Sequence, residues 1–205
     1  MHKIKNWMCR NKWFDDNNQA KIKRVVREFC IEDSVYHRNH NTIQLDFTIL
    51  PFSKRTMLLA EILEYILNDN EFFFCELYAI GINLKHRYIK IHPNKENCVE
   101  YRTLNEDIVP LYDNLSFIRV DPNTFRFKRF AKDVFTKNGF INNYLFIDEK
   151  RNLVLKPYDE RGIAIASKDK DYLRELFFRY EKYITSVYYD EIKANLFCDA
   201  SSNQT

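Results

Sequence analysis

The chain has 205 residues, 45% hydrophobic and 16% aromatic, with 17 Phe, 13 Tyr and only three Gly, at 81, 139 and 162. That length and apolar content exclude intrinsic disorder and allow a sizeable core without disulfides or metal. A formal net charge of +3, from 32 basic and 29 acidic residues, is too nearly balanced to mark a nucleic-acid binder by itself.

The first residues, "MHKIKNWMCRNKW", are basic but lack the apolar stretch of a secretory signal. From Lys3 to Glu28 eight basic residues face three acidic ones, a local charge of +5. Within that region, residues 19–31 place Ile22, Val25, Val26, Phe29 and Cys30 at helical spacing between Lys and Arg, which predicts an amphipathic helix with a basic outer face. "TIQLDFTIL" (42–50) alternates Ile43, Leu45, Phe47 and Ile49 with polar residues, the period of a half-buried strand. Pro51 ends that strand, and Ser53 is placed to cap a helix running to about Asn68. That helix is apolar except for Glu61, Glu64, Tyr65 and Asn68, whose three- and four-residue spacing puts them on one face. Two glutamates interrupt its apolar run, which is also too short to span a bilayer.

"FFFCELYAIGI" (72–82) predicts a buried strand and "RYIKIH" (87–92) its hairpin partner. Residues 93–105 read as irregular, with a short helix at 105–113. From Glu61 to Asp113 ten acidic residues face five basic ones, and no Lys or Arg lies between Arg55 and Lys85. "LSFIRV" (115–120) predicts a strand. A basic helix follows at 123–137 with Phe127, Phe130, Ala131, Val134 and Phe135 inward. "NYLFID" and "NLVLKPY" flank the charged loop "EKRN" as a hairpin, and "GIAIA" adds a third strand. "KDYLRELFFRYEKYI" (170–184) is amphipathic on Leu173, Leu176, Phe177, Tyr180 and Ile184. A last helix is expected at 186–197 and a disordered tail at 199–205. Together these elements predict an α+β fold. It is a single compact domain over residues 1–198, a mostly antiparallel sheet with helices packed on it.

The second half also resembles a known family. "YLFIDEKRNLVLKPYDERGIAIAS", then "LRELFFRYEKYI" and "YYDEIKANLF", are similar to domain-of-unknown-function family 3885. Its hallmark is a strand pair, a Tyr-Asp-Asp-Arg-Gly turn, a short apolar strand and a helix with spaced aromatics. Tyr158, Asp159, Arg161 and Gly162 match that turn. Glu160 stands where a second Asp is usual, Ala164 where the family carries another Asp, and Tyr183 where it often carries Trp. The resemblance is specific over 144–197, with a looser fit through "IQLDFTIL", the helix 53–68 and "FFFCELYAIGI". It implies a fold rather than an activity.

Few residues offer chemistry. Asp159, Glu160 and Arg161 form either a hydrolytic or metal-binding cluster, completed by His86 or His92, or a tight turn with Asp159 on backbone N–H groups. Adjacent strand residues point to opposite faces, so the structural turn is favoured. His37 and His40 lack the Cys or acidic partners of a zinc site. There is no G-x-S-x-G element, phosphate loop or dinucleotide fingerprint, and no cofactor or metal is expected. Five scattered cysteines, never in C-x-x-C spacing, read as the reduced thiols of a cytoplasmic protein. "KIKRVVR" and "FRFKRFAKD" could present Lys21, Arg24, Arg126 and Arg129 as one basic face to nucleic acid, but amphipathic helices place cations toward water in any case. The acidic run carries the most weight. Glu61, Glu64, Asp69, Glu71 and Glu76 have no cation near them in sequence, and such a patch steers and selects a basic protein partner. The expected function is that of a protein-binding module. Its most specific form is a cytoplasmic immunity protein or antitoxin that holds a bacterial toxin with a basic surface. A hydrolase and a nucleic-acid accessory protein are the alternatives.

Overall fold

A computed structural model describes residues 11–13, 41–76, 88–89, 99–104, 114–136, 144–159 and 161–197. Its strands are β1 (Asn11–Trp13), β2 (Thr42–Asp46), β3 (Phe72–Glu76), β4 (Val99–Leu104), β5 (Asn114–Val120), β6 (Tyr144–Asp148), β7 (Leu153–Asp159) and β8 (Gly162–Ser167). Its α-helices are α1 (Phe52–Leu67), α2 (Phe127–Thr136), α3 (Lys170–Tyr180) and α4 (Tyr189–Phe197). The strands form one sheet in the order β1-β4-β5-β3-β6-β7-β8-β2. Every pairing is antiparallel except β1 with β4. This is the expected α+β arrangement, a mostly antiparallel sheet with helices packed on it.

The sheet's two faces follow from strand alternation. One face supplies Ile43, Leu45, Phe72, Phe74, Tyr144, Phe146, Leu153, Leu155, Ile163 and Ile165 to a cluster shared with all four helices. Phe73, Leu145, Ile147, Val154, Lys156, Ala164 and Ala166 are also buried, yet stand outside that cluster. Both faces of the central strands are therefore dry, which is why β6 and β8 are buried at every position. That also explains why their sequences read as apolar runs rather than alternations.

At the centre of the cluster is a group of rings. Phe130 of α2 lies 4.9 Å from Tyr144, 5.0 Å from Phe146 and 5.7 Å from Phe74, in edge-to-face geometry with each. Such pairs add to the burial of the rings themselves. The inward face expected for this helix is the one observed: Phe127, Phe130, Ala131, Val134 and Phe135 are all buried. A 3-10 turn, Pro122–Thr124, precedes it and is capped by Asp121, so α2 begins later than 123. In α3, Asp169 Oδ1 accepts from Tyr172 N at 3.0 Å, an N-cap that fits an acidic residue before an apolar run. The helix stops at Tyr180, and Glu181–Tyr183 continues as a 3-10 turn.

Three expectations need correction. The strand at 42–50 ends at Asp46, because Asp46 Oδ1 accepts from Thr48 N at 2.7 Å and from Thr48 Oγ1 at 2.6 Å, turning the chain. Ile49 is consequently 75% exposed rather than inward. The cap of α1 is Pro51, not Ser53. The Pro51 carbonyl accepts from Lys54 N and Arg55 N, and its ring holds φ at −59°. Residues 99–104, read as irregular, form β4, paired along both edges by β1 and β5. Along Phe73–Glu76 both edges of β3 are taken by β5 and β6, while residues 77–82 and most of 87–92, where the expected hairpin would pair, lie outside the described residues. Ile89 bridges Phe125. The helices expected at 19–31 and 105–113, and the tail at 199–205, lie outside the described residues.

Candidate functional site

Helix α1 buries Leu58, Leu59, Ala60, Ile62, Leu63, Ile66 and Leu67 and turns the opposite face outward. That outer face carries Met57, Glu61, Glu64 and Asn68, spaced four, three and four apart as one stripe. Glu61 and Glu64 have no ion pair among the described residues. Beside them, the exposed side of α3 contributes Glu175, Phe178 and Arg179. Tyr65 joins the two helices. Its hydroxyl donates to Glu175 Oε1 at 2.5 Å, and the Arg179 guanidinium lies over its ring at 3.8 Å. The hydrogen bond to Glu175 holds the Tyr65 phenol above its ordinary range, with burial adding to the effect.

The five acidic residues expected to form one uncompensated patch do not behave alike. Asp69 follows α1 and pairs with Arg151 Nη2 at 2.8 Å. Glu71 precedes β3 and pairs with Arg119 Nη2 at 2.6 Å. Glu76 ends β3, opposite Ser116 on one side and Tyr144 on the other. The sequence holds no cation near Asp69 or Glu71, but the fold brings one to each. β5 lies next to β3, with Phe72 opposite Val120, so Arg119 arrives beside Glu71. The available negative charge is therefore narrower than the sequence suggests, and Glu61 and Glu64 are its members without an ion pair among the described residues.

Arg151 was read only as part of a charged loop, and its role was missed. It sits in the four-residue connection between β6 and β7. Its Nη1 donates to the Ile66 carbonyl at 2.6 Å, its Nη2 to Asp69, and its guanidinium stands 5.3 Å over the Tyr172 ring. One side chain thus caps the last turn of α1 and ties it to the hairpin and to α3. Asp148 stands beside it, fully buried. It accepts from Lys150 N at 2.9 Å, Arg151 N at 3.2 Å and Asn70 Nδ2 at 3.1 Å. The signal was an aspartate closing an apolar strand just before a polar tetrapeptide, the pattern of a side chain that closes a turn on its own backbone.

Burial pushes the Tyr172 phenol up to about 12, with the nearby Arg151 guanidinium acting in the opposite direction. A raised acid stays protonated in the fold at pH values where the unfolded chain ionises. Its contribution to stability is therefore complete below pH 10 and is lost as pH rises toward 12. The expected result is a fall in thermal midpoint across that window, made shallower by Tyr172→Phe. An equally steep fall in the variant would show that other groups set the alkaline limit.

The "DERG" stretch is a two-residue connection between β7 and β8. Asp159 and Gly162 are register partners, and the ladder shifts between Pro157 and Asp159, so Tyr158 sits in a bulge. The Arg161 carbonyl accepts from Phe47 N, which extends the pairing of β2 with β8 past Gly162. Glu160 lies outside the described residues. So do His37, His40, His86, His92, Lys21 and Arg24, and Arg126 and Arg129 are the described half of the proposed basic face. No group of three or more His, Cys, Asp or Glu that could hold a metal occurs among the described residues. No described helix is long and apolar enough to cross a membrane.

The model of the family described as Domain of unknown function (DUF3885) matches residues 79–188, more than half of the chain. The chain belongs to that family. No curated protein and no solved structure matches it. The DUF3885 match takes in the ring cluster's α2 and β6, the β6–β7 loop with Arg151, the β7–β8 turn and all of α3. Helix α1, with Glu61 and Glu64, precedes it, so the candidate surface combines a helix outside the matched region with one inside it.

Proposed function

We propose that this protein is a binding module that holds a basic protein partner against the outer face of α1. One observation carries the reading: Glu61 and Glu64 stand one turn apart on an exposed stripe, without an ion pair among the described residues, while Asp69 and Glu71 close by are paired within the fold. Paired carboxylates are spent on structure. Unpaired ones on a rigid helix present a fixed negative field, which steers an oppositely charged surface and selects against a like-charged one. Met57, 71% exposed on the same stripe, supplies adaptable apolar contact beside that charge.

The most specific form of this reading is an immunity protein or antitoxin, acting in the cytoplasm and blocking a toxin whose working cleft is basic. It draws support from analogy with small, well-cored proteins that act through a charged surface. Affinity capture of the tagged protein from its native cells, with mass spectrometry of what remains bound, tests it. The expected result is one stoichiometric basic partner that is toxic when expressed alone and harmless when co-expressed. Reversing charge with Glu61→Lys and Glu64→Lys together is expected to slow association by about tenfold or more at low salt and to flatten its salt dependence. Unchanged association kinetics would remove this face from the interface.

A further inference from the structure

We propose that the half-buried Tyr65 ring is the landing place for a cationic side chain of the partner, and that Arg179 fills that place in the free protein. This rests on the reading of α1 as the binding face and adds to it the chemistry of the contact. Three observations converge. Tyr65 lies on the same side of α1 as Glu61, Glu64 and Asn68, between the helix carrying the unpaired carboxylates and α3. Its hydroxyl is held by Glu175, which fixes the ring's orientation and adds a third carboxylate to its surroundings. Its face is already covered by a guanidinium at 3.8 Å, closer than any other cation to a ring among the described residues. The aromatic face therefore has the geometry a cation needs, and a cation is sitting on it.

Arg179 is poised to give way. Its side chain is exposed, and its hydrogen bond is a long one, Nε to Tyr180 Oη at 3.3 Å. An exposed cation on a ring is held weakly and exchanges readily with solvent. An arriving Lys or Arg gains the same ring face and the field of Glu61, Glu64 and Glu175. The displaced Arg179 gives up its ring contact, its long hydrogen bond to Tyr180 and its attraction to Glu61, all from an exposed side chain. Arg179 is then an internal competitor: it lowers the apparent affinity for any cation that uses the ring, and it keeps the ring covered when no partner is bound.

The test uses the full chain and a fluorescent hexa-arginine peptide as probe, first at low ionic strength and then at physiological salt. Arg179→Ala is expected to tighten peptide binding by about two- to fivefold, the range of one exposed cation–ring contact. Lys182→Ala controls for the lost positive charge. Lys182 is exposed on the next turn and stands 4.7 Å from the Tyr183 ring. Its removal is expected to tighten binding distinctly less. Tyr65→Ala is expected to weaken binding, and Tyr65→Phe, which keeps the ring, to leave it within about twofold. Equal gains from Arg179→Ala and Lys182→Ala would overturn the proposal, because charge alone would then explain them. So would unchanged binding in Tyr65→Ala. If Glu61→Lys with Glu64→Lys abolishes binding while the Tyr65 and Arg179 variants match the wild type, the acidic face stands and only the Tyr65 site fails. If none of these variants alters binding, both readings fail together.

Discussion

Phe130→Ala is expected to destabilise the protein by about 3–5 kcal/mol, the cost of deleting a fully buried aromatic ring and leaving a cavity. The ring is 0% exposed and contacts rings from two strands, Phe74 of β3 and Tyr144 and Phe146 of β6. Tyr88 and Phe125 complete its surroundings at 5.3 and 5.8 Å. Interlocked rings of this kind cannot collapse into the vacated space without leaving their edge-to-face geometry, so the cost should fall in the upper part of the range. Urea denaturation followed by circular dichroism measures it. Phe178→Ala is the matched control, since that ring is 65% exposed, and it should change stability by no more than about 0.5 kcal/mol. Similar losses from the two substitutions would show that Phe130 is not the centre of the core.

Asp148→Ala should be the most costly change at a polar position, at about 3 kcal/mol, because it strands several buried or half-buried donors at once. The carboxylate is fully buried, accepts two backbone N–H groups of the turn that follows, and accepts Asn70 Nδ2 from the segment between α1 and β3. Arg151 Nη1 stands 4.0 Å away and loses its nearest buried anion. Asp148→Asn retains an acceptor for the turn but brings a second amide toward Asn70, so about half the effect is expected. Two-state denaturation curves for the pair decide this. A loss below about 0.5 kcal/mol in Asp148→Ala would mean that the desolvation of the carboxylate cancels everything its hydrogen bonds contribute.

Much of this architecture could be read along the chain where one element's own periodicity decided it. The inward faces of α2 and α3 follow directly from apolar residues three and four apart, and every residue named for α2 is buried. The β6–β7 hairpin and β8 follow from short apolar runs separated by polar turns. One error arose where a neighbour in space outweighed the local pattern. Ile49 continues the alternation of β2, yet the Asp46 side chain turns the chain before Ile49 can point inward. Residues 99–104 alternate Val99, Tyr101 and Thr103 with Glu100 and Arg102, a strand period that the irregular reading passed over, and β1 and β5 pair with them.

The candidate site divides along the same line. Sequence alone determined that Glu61 and Glu64 share a helical face, because a period of 3.6 residues requires it and no distant contact can change it. The expectation that a short connection joins the strands around Asp159 and Gly162 rested likewise on the local chemistry of short polar residues and glycine, and those two residues are register partners. Only the tertiary structure decided which of the acidic residues are ion-paired within the fold. Arg119 and Arg151 lie 48 and 82 positions from the carboxylates they neutralise, and Arg179 lies 114 from the ring it covers. Charge compensation acts through space over a few ångströms, so pairing across such separations is set by strand order and helix packing rather than by position along the chain.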